Sequence, residues 1–170
     1  MSTKVINELK TGDILHCRGN RLLSKLIMKF TKSRFSHTAI VIECWGQLYI
    51  VDAQKNGVNP RPLKEWLKEF GYYFEVSRLS VIENKEVSIK AFSKVGSTKY
   101  DFISLFWYQP KYILTGKWKG KSSETTDGRM YCSEYVAWIY EIPNWWKLSP
   151  QEVFIYCKTN WMIFDTFKIL

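Results

Sequence analysis

A hairpin signal at residues 38–53 constrains this chain more than any other feature. Two β-favouring runs, 38–43 and 48–53, flank the tetrapeptide Cys44-Trp45-Gly46-Gln47. A short glycine-bearing link between two such runs is a hairpin signature. A hairpin brings its two ends side by side. Here those ends carry His37 and Asp52, 15 residues apart.

The remaining elements are mixed around that hairpin. Lys10-Thr11-Gly12-Asp13 reads as a turn before a short strand, Ile14-Leu15-His16-Cys17. Residues 21–31 place Leu22, Leu23, Leu26, Ile27 and Phe30 at helical spacing, opposite Arg21, Lys25, Lys29 and Lys32. The simplest reading of this basic amphipathic helix puts its apolar face on the core; the other puts it on anionic lipid or polymer. Asn56-Gly57 and Asn59-Pro60 mark a loop, and Pro62 suits the first turn of a helix that ends before Gly71. Residues 72–81 alternate like a strand, and 84–95 look helical. Asp101 suits an N-cap for a short helix over 102–107 that Pro110 ends. Residues 118–129 are polar and rich in Gly, Ser and Thr, the composition of an exposed loop. A buried helix follows at 131–140, Ser149-Pro150 opens another, and 160–170 read as a closing strand. Strands and helices mixed without regular βαβ alternation indicate an α+β fold. At 170 residues the whole chain, 1–170, is expected to form one domain.

Composition excludes several function classes. There are 25 Lys and Arg against 16 Asp and Glu, a formal charge of +9, which favours an anionic partner or surface. No nucleic-acid motif accompanies the charge. Four cysteines, with no Cys-x-x-Cys pair, are too few for a disulfide scaffold. With two histidines, they do not supply the clustered ligand spacing of a zinc site. No metal or other cofactor is expected. The start, MSTKVINELKTGDIL, has no apolar core of a signal peptide, and no apolar run is long enough for a membrane span. The expected setting is therefore cytoplasmic.

Three residues can be combined into chemistry. Cys132 stands where a polar loop gives way to a helix. A thiol in a first helical turn is near the positive end of the helix dipole, which favours thiolate. Most free cysteines, however, are small buried hydrophobes. His37 opens a strand and can take and return a proton near neutral pH, although a lone histidine is more often structural. Asp52 interrupts an apolar strand and either faces water at its end or, if buried, needs a partner; the imidazole of His37 is within reach of such a hairpin.

The segments around these residues resemble the NlpC/P60 cysteine peptidases. Tyr131-Cys132-Ser133-Glu134-Tyr135-Val136 resembles the nucleophile segment of that family. Gly12-Asp13-Ile14-Leu15 resembles its strand-opening Gly-Asp-Leu, and Ser36-His37-Thr38-Ala39-Ile40-Val41 its histidine strand. Asp52 falls where the third polar residue sits. The nucleophile segment follows the others here, as in the circularly permuted, YaeF/YiiX-like, papain-like branch. That branch usually carries Glu at the third position, so the shorter Asp arm is expected to make a weaker or water-mediated contact.

The resemblance implies a papain-like fold with an antiparallel sheet or barrel against helices. It implies a cysteine hydrolase without cofactor: Cys132 as nucleophile, His37 as base and Asp52 as orienting carboxylate. The backbone N–H of Cys132 is a ready oxyanion donor; a second is not assigned by the sequence, and Tyr100 and Tyr131 belong either there or, more simply, to packing. Trp107, Tyr108 and Trp118 belong either to a substrate groove or to the core. The substrate is a peptide, a peptidoglycan fragment or, as the alternative, an acyl lipid taken by an acyltransferase or thioesterase. A catalytically idle basic binding module is the third reading.

Overall fold

The computed structural model describes residues 8–71, 73–80, 84–122, 127–160 and 162–168. Its centre is a six-stranded antiparallel sheet. In chain order the strands are β1 (Ile14–Cys17), β2 (His37–Cys44), β3 (Gln47–Gln54), β4 (Gly57–Pro62), β5 (Phe74–Leu79) and β8 (Phe164–Lys168), arranged β4-β3-β2-β1-β5-β8. The hairpin is as expected: β2 and β3 pair with Ile40 opposite Val51 and Cys44 opposite Gln47.

The apolar arms of that hairpin are covered on both faces. Side chains alternate along a strand. Ile40, Ile42, Val51 and Ala53 pack under α3 (Asn84–Ser93), α5 (Cys132–Ile139) and α6 (Pro150–Thr159). Ala39, Val41 and Ile50 pack under α2 (Leu63–Phe70), with Leu63, Trp66 and Leu67. α6 starts on a capping box: Ser149 N–H donates to Glu152 and Glu152 N–H donates to the Ser149 hydroxyl.

Four sequence expectations are corrected. First, Asn59-Pro60 lies in β4, not in a loop. An edge strand tolerates Pro60 and Pro62 because one row of its N–H groups has no ladder partner to lose. Second, the helical segment from 102 does not stop at Pro110. It passes through a π turn (Ser104–Tyr108) into α4 (Gln109–Thr115), with Pro110 in the first turn of α4. Third, α1 (Leu22–Phe30) turns Leu22, Leu26 and Phe30 to solvent, while Ile27 is buried. Fourth, the 118–129 segment is not simply an exposed loop. Lys121 is buried within it, and Arg129 joins a short parallel pair between β6 (Lys99–Tyr100) and β7 (Arg129–Met130). Tyr72, Val81 and the last two residues of the expected strands lie outside the described residues.

Candidate active site

β2 begins with His37, and β3 carries Asp52 across the ladder from the start of β2. His37 Nε2 and Asp52 Oδ2 are 2.7 Å apart. The contact is direct, contrary to the expectation for the shorter carboxylate arm. His37 also stacks on Phe70 of α2, with centroids 4.7 Å apart and planes 18° from parallel. The ring is therefore held at one nitrogen and on one face.

Asp52 is buried and fully partnered. Its Oδ2 also accepts from Gln54 Nε2 at 3.0 Å, Arg61 at 3.1 Å and Trp66 Nε1 at 3.1 Å. Burial opposes its charge, but His37, Arg61 and Gln54 outweigh burial and hold the carboxyl below its ordinary value. Gln54, Arg61 and Trp66 were missed in the sequence. A carboxylate in an apolar strand signals that partners exist, but Arg61 lies in the strand that Asn59-Pro60 disguised.

Cys132 is the first residue of α5, after an extended Tyr131. It is fully buried, and its thiol lies close enough to His37 for each to shift the other's ionisation. Burial raises a thiol pKa. Here the His37 charge and hydrogen bond, with backbone hydrogen bonds from Thr38 and Ser133, overcome it and bring Cys132 below its ordinary value. The reciprocal effect appears on His37. Burial lowers its pKa, but Cys132 and Asp52 push it up to about 10. Both directions favour a thiolate–imidazolium pair over the neutral pair. By contrast, burial pushes Cys17 well above the usual thiol value and Cys157 to about 12.

The two tyrosines separate. Tyr100 is opposite Met130 in the β6–β7 pair, and its hydroxyl hydrogen-bonds with Cys132. Burial and the neighbouring thiolate raise its pKa, so it remains a neutral donor. The Tyr131 hydroxyl is engaged elsewhere, accepting from Gln109 at 3.1 Å and donating to the Trp146 carbonyl at 3.4 Å.

Lys121 braces both sides of this arrangement. Its Nζ lies 2.8 Å from Asp101, next to Tyr100, and 3.0 Å from Glu134, two residues after Cys132. Glu134 also accepts the Tyr131 N–H at 3.3 Å. Burial pushes Glu134 up to about 8 despite Lys121.

A cavity of about 270 Å³ reaches His37 and Tyr100, the two side chains that hold the thiol. Gln54, Phe70, Ser24 and Ile27 are also among its walls. Trp107, Tyr108 and Trp118 do not line it: Trp107 is exposed, and Tyr108 packs against Trp118.

The permuted order of these segments now has an independent counterpart. Residues 8–156 match the family described as permuted papain-like amidase, YaeF/YiiX, C92 family. The chain belongs to this family. Among solved structures, this chain is similar to one described as the crystal structure of metalloprotein yiiX from Escherichia coli O157:H7. Identity is 26% and the TM-score 0.58, over 78% of this chain and 64% of that one. The chain thus spans less than two thirds of that neighbour's length. No curated protein matches it.

That neighbour is described as a metalloprotein. Among the described residues, no group of three or more His, Cys, Asp or Glu is placed to hold a metal ion. His16 is buried against Phe35 and Phe154 and bonded to Ser77. This donor set does not fit a metal ion. No helix among the described residues is long and apolar enough to cross a membrane.

Proposed function

We propose that this chain is a cysteine amidase that cleaves peptide or peptidoglycan-type amide bonds through an acyl-enzyme on Cys132. The observation that carries the reading is the buried line Cys132–His37–Asp52, whose thiol and imidazole shift in opposite directions toward an ion pair.

In the first half-reaction the Cys132 sulfur attacks the amide carbonyl carbon. The oxyanion is received by the Cys132 backbone N–H at the helix start and by the Tyr100 hydroxyl. As the tetrahedral intermediate collapses, His37 gives its proton to the amine, the C–N bond breaks and a thioester remains. In the second half, His37 takes a proton from water as the water oxygen attacks the thioester. The C–S bond breaks, the acid leaves and the ion pair is restored. Asp52 keeps the ring oriented and its charge balanced throughout.

The test is hydrolysis by wild type and Cys132→Ala of a panel of stem peptides, γ-glutamyl amides and acyl lipids. Release of amine from an amide substrate, lost in Cys132→Ala, is the expected result. Turnover confined to acyl lipids would replace the reading with a thioesterase or acyltransferase. Equal amide turnover in Cys132→Ala would remove it.

A further inference from the structure

The face around the cavity mouth carries both kinds of side chain that an anionic bilayer recognises. On α1, Leu22, Leu26 and Phe30 form an i, i+4, i+8 stripe, exposed by 74%, 36% and 45%. Packing does not require that exposure: the neighbouring Ile27 is buried against Leu105 and Tyr131. Across this contact, Phe102, Ile103 and Trp107 are exposed by 44%, 52% and 59%. Ser24, Ile27 and Phe102 also line the cavity, so the two apolar rows flank its opening.

The charge pattern matches. Residues 14–42 contain six Lys and Arg and no Asp or Glu; residues 102–120 contain three Lys and again no acid. Of the first six, Arg21 and Arg34 pair with Glu69 and Glu75. Among the described residues no ion pair engages Arg18, Lys25, Lys29 or Lys32. Lys111 sits 4.0 Å over the Trp107 ring, a pairing of cation and amphipathic aromatic suited to a headgroup boundary.

We propose that this face docks the protein on an anionic lipid bilayer, with the cavity mouth toward the membrane. Six large apolar side chains framed by unpaired cations suit a surface with acidic headgroups over hydrocarbon. An acidic polysaccharide would meet the cations but leave the apolar rows wet. A second copy of the chain would meet like charge with like.

The test is co-sedimentation of the full chain with vesicles of phosphatidylcholine alone or with phosphatidylglycerol. Three proteins are compared: wild type, Leu26→Glu/Phe30→Glu and Lys25→Gln/Lys29→Gln. Wild type is expected to bind the anionic vesicles at least tenfold better than the neutral ones. Each double variant should lose at least fivefold, with thermal melts confirming that it is folded. Quenching by brominated lipid covers a variant that does not fold. The wild-type fluorescence should contain a quenched component that Trp107→Phe lacks. Absence of wild-type binding to the anionic vesicles would overturn the proposal. So would full binding by Leu26→Glu/Phe30→Glu, which would leave charge alone as the cause. Repeating the assay with Cys132→Ala keeps docking separate from turnover, so failure of either reading leaves the other standing.

Discussion

On the proposed mechanism, His37 is the residue on which the chemistry turns. Its folded pKa of about 10 lies above the ordinary imidazole value, whereas that of Cys132 lies below the ordinary thiol value. On that mechanism, the pH range in which both are charged is widened at each end. Amide turnover should rise with the Cys132 ionisation, stay flat through neutral pH, and fall as His37 loses its proton near pH 10. A pH–kcat/KM profile checks this; a fall beginning near pH 7 would contradict it. Asp52→Asn keeps the shape but removes the charge beside the imidazolium and the acceptor for its N–H. The expected loss in kcat is on the order of 10²–10⁴-fold, measured with a soluble amide substrate. Asp52→Glu should retain more activity than Asp52→Asn if charge rather than shape is what His37 needs.

At the level of elements, the segments that sequence reading understood least are those that brace the thiol. The β6–β7 pair has two residues per strand, too short for any periodicity to reveal, yet it sets Tyr100 beside Cys132. Lys121 comes from a segment whose composition indicates a solvated loop. Its side chain is nonetheless only 8% exposed, between Asp101 and Glu134. Lys121→Met should leave two buried carboxyl groups without their shared cation, a cost of about 3 kcal/mol. That corresponds to a melting-temperature drop of about 6–12 °C. Lys121→Met/Asp101→Asn should recover part of it. Gly57 is a second constrained point. It has φ of +98°, and an added Cβ would lie 2.4 Å from the Thr98 carbonyl oxygen. Gly57→Ala should therefore destabilise the β4 edge by about 1–3 kcal/mol, read as a lowered denaturation midpoint.

For the whole molecule, the parts legible in the sequence are those with a local signature. The β2–β3 hairpin followed from two β-rich runs and a Gly-bearing link. The His37–Asp52 juxtaposition followed from that hairpin, and α6 from its cap and proline. The Cys132 approach to His37 is different. It joins segments almost a hundred residues apart, and only the family resemblance gave it away. Arg61 and Trp66 were hidden because an apolar-strand carboxylate requires donors without saying where in the chain they lie. The exposed stripe of α1 was misjudged because helical periodicity shows that a face is apolar but not what covers it.

The stability of the whole molecule should carry a distinct pH signature. Between pH 6.5 and 9 the folded His37 keeps a proton that the unfolded chain releases, so its contribution falls as pH rises. Cys132 gives up its proton at a lower pH in the fold than in the unfolded chain, so its contribution rises. The two oppose each other. Glu134 has no such counterweight. Its carboxyl stays protonated in the fold up to about 8, against an unfolded value of 4.5, so stability should decline as pH rises from about 5 to 8. Melting scans should show that decline in wild type and its reduction in Glu134→Gln.

The thiolate itself is the most direct thing to measure. Thiolate absorbs near 240 nm, and the difference between wild type and Cys132→Ser across pH isolates Cys132 without requiring a reagent to reach a buried sulfur. The expected result is a thiolate signal established below the ordinary thiol value and present at neutral pH, then shifted upward or lost in His37→Ala. A wild-type signal that appears only above the ordinary thiol value, or one unchanged by His37→Ala, would contradict the ion pair and the amidase mechanism built on it.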